Sequence, residues 1–158
     1  MTQAQHPTVR KVTEALAAAG ATGAIHELAE EVRTAPAAAA QLGVEVGAIA
    51  NSLVFDADGE PLLVLTSGAH RVDTARVASL VGVAELRRAS PGFVRTATGQ
   101  PIGGVAPVGH PRPLRTLVDV DLAAYEVVWA AGGIPHTVFP TSYGELLRIT
   151  GGMPAEVG

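Results

Sequence analysis

Two apolar runs held apart by a single Asp-Gly step constrain this chain most. Ile49 to Phe55 and Leu62 to Thr66 flank Asp58-Gly59, and that dipeptide suits a two-residue hairpin turn with positive φ at both central positions. Both runs are almost continuously apolar, so the expectation is a hairpin covered on both faces. Covering it requires helices, and the sequence offers them. Thr8 is read as the cap of a helix through Val12, Leu16 and Ala19 that ends at Gly20. Thr34 precedes APAAAAQLG, an alanine-rich helix with proline in its first turn and Gly43 after its last. Asp73 caps TARVASLVG, Ser90 starts a short helix containing Phe93, and Ser142 caps a closing helix carrying Leu146, Leu147 and Ile149. Further short strands are expected at Ala24 to Leu28, Ala84 to Leu86, Leu117-Val118, Val127 to Ala130 and Thr137 to Phe139. Strands alternating with short helices, hairpin included, imply an α/β (α+β) chain with a mixed sheet and helices packed around it.

One stretch fits neither element. Thr96 to Pro113 reads TATGQPIGGVAPVGHPRP, too rich in glycine and proline for helix or strand, and is expected to be loop. Loops of this length are often functional in compact domains. Gly103 and Gly104 would let the backbone approach a ligand, offering N–H groups to a carbonyl oxygen or phosphate. The alternative is a plain surface connection stiffened by proline. The loop is not a Walker A motif, since no Gly-Lys-Ser/Thr follows, and it lacks the GxGxxG spacing of a dinucleotide fingerprint.

Length and composition narrow the class. The 158 residues suit one domain, 1–158, and the absence of cysteine excludes disulfides, thiolate zinc sites and a thiol nucleophile. No apolar run reaches the roughly 20 residues of a membrane helix, and the N-terminus lacks the order of a secretory signal, so a cytoplasmic protein with no membrane partner is expected. The five histidines (6, 26, 70, 110 and 136) show no helical metal-pair spacing, so no metal is expected. His136, after Gly132-Gly133-Ile134-Pro135, stands where side chains often face a pocket. No GxSxG elbow supports a serine hydrolase.

The net charge of −4 conceals a gradient. Between Pro61 and Arg115 seven arginines (71, 76, 87, 88, 95, 112 and 115) face only Asp73 and Glu85. Arginine's planar fork suits phosphate, although helix solvation or pairing with the flanking acids would explain the same pattern. Lys11 is the only lysine.

Taken in order, NSLVFDADGEPLLVLTSGAHRVD, GGVAPVG and VVWAAGGIPHTVF resemble the YbaK/ProX family of aminoacyl-tRNA deacylases, which includes free-standing enzymes and an editing domain inserted in some prolyl-tRNA synthetases. The resemblance runs from Thr34 to Thr150. It implies a mixed, largely antiparallel sheet curved into a barrel-like core, and hydrolysis of the ester that joins a wrong amino acid to tRNA, without metal or cofactor. The Gly-x-x-x-Pro loop that lines the family's aminoacyl pocket corresponds to Gly103 to Pro107, which makes Val105, Ala106 and Pro107 substrate-binding candidates beside the two glycines. The family's pocket histidine matches His136. Ser52, Ser67 and Gly68 are further substrate-binding candidates, and Arg71, Arg76 and Arg95 are candidates for tRNA contact. The implied partners are mischarged tRNA at its acceptor end and, as a companion, prolyl-tRNA synthetase. One position departs from the family: where relatives carry lysine before Ser-Leu or Thr-Leu, this chain has Asn51. Asparagine hydrogen-bonds but brings no charge. Two readings follow, a deacylase in which Asn51 orients substrate or water, and a non-catalytic binding protein for an aminoacyl or nucleotide ligand. Alanine, cysteine, serine and threonine all stay open as the amino acid removed.

Overall fold

The computed structural model describes residues 6–29 and 34–158. In chain order its helices are α1 (Pro7–Ala18), α2 (Ala35–Leu42), α3 (Thr74–Val81), α4 (Pro91–Thr98) and α5 (Tyr143–Thr150). The strands are β1 (His26–Glu27), β2 (Ile49–Ala57), β3 (Glu60–Ser67), β4 (Leu86–Arg88), β5 (Arg115–Asp119), β6 (Val128–Ala131), β7 (Thr137–Thr141) and β8 (Met153–Ala155). Thr34, Asp73, Ser90 and Ser142 each accept a main-chain N–H from the first turn of the helix they precede. At α1 the cap is His6 rather than Thr8. Its Nδ1 accepts the Thr8 N–H at 3.1 Å, and Pro7 takes the first helical position, where a missing N–H costs nothing. Helix α4 continues to Thr98, so the glycine-proline loop begins three residues later than the sequence suggests.

Strand order is β1-β7-β6-β2-β3-β5-β8, with β4 also pairing with β2. The sheet is mixed. β1–β7, β2–β3, β2–β4 and β6–β7 are antiparallel, and β2–β6, β3–β5 and β5–β8 are parallel. The hairpin turn has φ of 52° at Asp58 and 93° at Gly59, as its two-residue length requires.

One side of the sheet packs Leu63, Leu65 and Val118 against α1, α5 and Phe139. The other side packs Leu62, Val64 and Leu117 against α3, while α2 covers Ile49. Strand β3 is therefore buried on both faces, as its apolar run implies. Strand β2 is not. Its Asn51 is exposed and Ser52 to Val54 are half-buried, because the strand changes partner along one edge. Ile49 and Ala50 pair with β6, Phe55 to Ala57 pair with β4, and no strand pairs that edge from Asn51 to Val54 among the described residues. No described helix is long and apolar enough to cross a membrane.

Candidate active site

The gap in the sheet opens into a cleft of about 670 Å³. Its floor is β2 from Ile49 to Phe55, and its walls are Ile102 to Val105, the segment from Ile134 to Val138, and Arg88 with Ala89. Asn51 and Ser52 both line it although adjacent strand residues point to opposite faces, because the cleft wraps around the open edge. The register puts Asn51 across from Thr66 and Ser52 across from Leu65. Asn51 thus shares a face with Thr66, and Ser52 shares the face of the α1-side core.

The glycine-proline loop is stitched down from both ends. Gln100 is 1% exposed, its Oε1 accepting the Ala106 N–H at 2.7 Å and its Nε2 donating to the Val108 carbonyl at 3.1 Å. Gly133 N–H donates to the Gly104 carbonyl at 2.9 Å, tying the loop to the segment that carries His136. Gly104 has φ of 102°, and a Cβ there would lie 2.5 Å from the Ile134 carbonyl carbon. Between these anchors, no described residue accepts the N–H groups of Gly103, Gly104 or Val105. All three residues line the cleft.

Two side-chain atoms are buried without a hydrogen-bond partner among the described residues, Ser52 Oγ and His136 Nδ1. Both residues line this cleft. Orphaned buried polar atoms are scarce in folded proteins, and both of these lie just behind the surface of the same cleft. His136 also has φ of 70°, an uncommon conformation for a residue with a Cβ. Its main-chain carbonyl is held by the Leu28 N–H at 2.7 Å, and its Nε2 lies 3.5 Å from Glu27 Oε1.

A second cluster adjoins the cleft. The Asp119 carboxylate is 1% exposed. Its Oδ2 accepts from the Ser67 N–H at 2.8 Å and lies 2.5 Å from Nε2 of His70, itself a lining residue. Its Oδ1 accepts the Asp121 N–H at 2.9 Å. His70, Asp119 and Asp121 each offer a ligand atom within 4.8 Å of one another, so these three are the described residues that could approach a metal. The Asp119 oxygens, however, are already engaged by protein donors. The spacing of the histidines gave no hint of this cluster; the signal was an aspartate closing the apolar run Leu117-Val118.

Of the other residues singled out in the sequence, Ser67, Gly68, Ala106 and Pro107 lie outside the cleft lining. The Ser67 hydroxyl donates to the Gly47 carbonyl at 2.9 Å, and a Cβ at Gly68 would come within 2.6 Å of the Val46 carbonyl oxygen. Arg71 lines the cleft. Arg76 and Arg95 do not, and Arg76 instead donates to the Gly158 carbonyl. Arg88, which charge patterning did not single out from its neighbours, does line it.

Comparison with known proteins identifies the family. Residues 29–149 match the family model described as an aminoacyl-tRNA editing domain. The chain belongs to the aminoacyl-tRNA editing domain family. Within it, this editing domain is 33% identical over 126 residues to a proline–tRNA ligase of Nitratidesulfovibrio vulgaris, covering 80% of this chain and 20% of that enzyme. It therefore spans about a fifth of that relative's length. It is also 31% identical to the YwhH protein of Bacillus subtilis, covering 72% of each. A crystal structure described as a candidate trans-editing enzyme for prolyl tRNA synthetase superposes with a TM-score of 0.91 at 43% identity, covering 98% of both chains.

His110 gives the editing domain a pH signature. Its Nε2 donates to the Ala106 carbonyl at 2.8 Å, and burial holds its pKa below the ordinary 6.5, against the smaller opposing effect of that hydrogen bond. A depressed histidine pKa means the unfolded chain takes the proton first, so stability falls as pH drops below about 6.5 and levels off below the folded pKa. In melts from pH 7.5 to 5, His110→Gln should lose less stability on acidification than wild type. Parallel curves would remove His110 from the acid limb.

Proposed function

We infer that this editing domain is an aminoacyl-tRNA deacylase, acting on mischarged tRNA by hydrolysing the ester between the amino acid and the terminal ribose. The observation that carries this reading is the pairing, in one cleft, of unpaired main-chain donors at Gly103 to Val105 with the partly exposed side chain of His136. Such an ester is already activated, so positioning water and polarising the carbonyl supply much of the acceleration. The loop N–H groups receive the carbonyl oxygen, whose negative charge grows as water attacks. His136 lines the cleft with its side chain partly exposed and is the group placed to take a proton from that water. The attacking oxygen bonds to the carbonyl carbon, the ester C–O bond breaks, and the ribose oxygen leaves with a proton. Asn51 orients substrate or water at the cleft mouth, and Ser52 contributes to the wall that meets the aminoacyl group. Arg71 and Arg88 receive acceptor-end phosphates. Similarity to part of a proline–tRNA ligase supports tRNA as the partner, with prolyl-tRNA synthetase as a companion.

The second reading, ligand binding without turnover, is favoured by Asn51, which puts no charge where relatives place lysine. A panel of mischarged tRNAs assayed with wild type, Asn51→Lys and His136→Ala separates the two. The deacylase reading expects wild type to clear at least one species and His136→Ala to lose on the order of 100-fold in rate. Hydrolysis by neither wild type nor Asn51→Lys would overturn it.

A further inference from the structure

Strand β2 carries hydrogen-bonding groups in its main chain that the fold leaves unused. In an antiparallel pair, residues whose N–H and C=O point toward the partner alternate with residues whose groups point away. The Gly68 N–H donates to the Ile49 carbonyl at 2.9 Å, which fixes Ile49, Asn51, Leu53, Phe55 and Ala57 as the residues facing β3. The Ala57–Glu60 pair that closes the two-residue turn agrees with this phase. Ala50, Ser52, Val54 and Asp56 therefore face the other edge. Ala50 meets β6 there, and Asp56 meets β4. Ser52 and Val54 meet no strand among the described residues. Both residues line the cleft, and their edge-facing main-chain groups have no partner among the described residues.

An aminoacyl ester brings an α-ammonium group, which needs acceptors. Among the described residues no aspartate or glutamate lines the cleft, whereas His70, Arg71, Arg88 and His136 do. Neutral oxygens of the described lining are then the acceptors for the ammonium, and the unpaired carbonyls of Ser52 and Val54 are among them. Resting on the editing reading, we propose that the unpaired edge of β2 at Ser52 and Val54 is the subsite for the substrate's α-amino group. The ester carbonyl then faces the opposite wall, where Gly103 to Val105 supply donors. Specificity for an amino acid as such, whatever its side chain, comes from backbone rather than from a charged residue. A charge-assisted hydrogen bond to a carbonyl is strong enough for this.

The test uses two non-hydrolysable 3′-amide analogues of aminoacyl-adenosine, carrying the amino acid cleared fastest in the tRNA panel. One keeps the α-amine and the other replaces it with hydroxyl. With labelled wild-type protein, the amine analogue should shift the carbonyl carbon resonances of Ser52 and Val54. The hydroxyl analogue should bind on the order of 10-fold more weakly or worse and leave those carbonyls nearly unmoved, while both analogues perturb the amides of Gly103 to Val105. Equal binding of the two analogues, or loop shifts with still carbonyls at Ser52 and Val54, would overturn the subsite and leave the editing reading standing. A tRNA panel with no turnover, together with no binding of alanyl or seryl amine analogues, would remove the editing reading and this subsite with it.

Discussion

Gly104→Ala should destabilise the protein by about 3 kcal/mol and reduce deacylation on the order of 100-fold, whereas Gly103→Ala one residue earlier should cost only about 1 kcal/mol. Both glycines have positive φ, 81° at Gly103 and 102° at Gly104, so both substitutions carry backbone strain. Only their surroundings differ. A Cβ at Gly103 meets nothing within 4 Å. A Cβ at Gly104 meets the Ile134 carbonyl carbon at 2.5 Å, the Pro135 nitrogen at 2.7 Å and the Ile134 oxygen at 2.8 Å. These are main-chain atoms and cannot rotate aside. The two loops would have to separate, breaking the Gly133 N–H to Gly104 carbonyl bond and moving His136 away from the donors of the opposite wall. Denaturant melts of both variants, with rates measured under native conditions, check the contrast. Equal costs at the two positions would show that the loops are not in the contact described.

That contact also marks where sequence reasoning stops. The Asp58-Gly59 turn and the helix starts after Thr34, Asp73, Ser90 and Ser142 were legible because each depends on neighbours a few residues away, and the doubly buried β3 because its run from Leu62 to Leu65 is unbroken by polar residues. The His6 cap was missed because histidine is a rare cap and Thr8 offers the commoner hydroxyl. Strand β8 was missed because Met153–Ala155 contains a proline and follows two glycines. It becomes a strand only by lying against β5. The loop was recognised as special from composition alone, but composition does not reveal that Gln100 occupies the Ala106 N–H, which takes that donor out of the site. The open edge of β2 was invisible for a related reason. An apolar run reports burial of side chains, not which strands take up its main chain.

Asp119→Ala should be the most damaging single change away from the glycine loop, lowering stability by about 3 kcal/mol or more and the melting temperature on the order of 10 °C. Asp119 ends β5 with its carboxylate shut in. Removing it takes the acceptor from the Ser67 and Asp121 N–H groups and from His70 Nε2, and leaves the Thr66 hydroxyl only its 3.3 Å bond to the Ser67 carbonyl. Each buried donor left without an acceptor costs more than the bond contributed. Asp119→Asn should fall between the two, since the amide keeps one acceptor oxygen but turns N–H groups toward existing donors. The consequence reaches the cleft through geometry. His70 lines it, and Thr66 stands across from Asn51 on the same face of the hairpin. If Asp119 sets that wall, Asp119→Asn, which keeps more of the fold, should raise KM for aminoacyl-tRNA more than it lowers kcat. A loss confined to kcat would instead put the carboxylate in the chemical step, and a melt within 1 kcal/mol of wild type for Asp119→Ala would contradict the hydrogen-bond network itself.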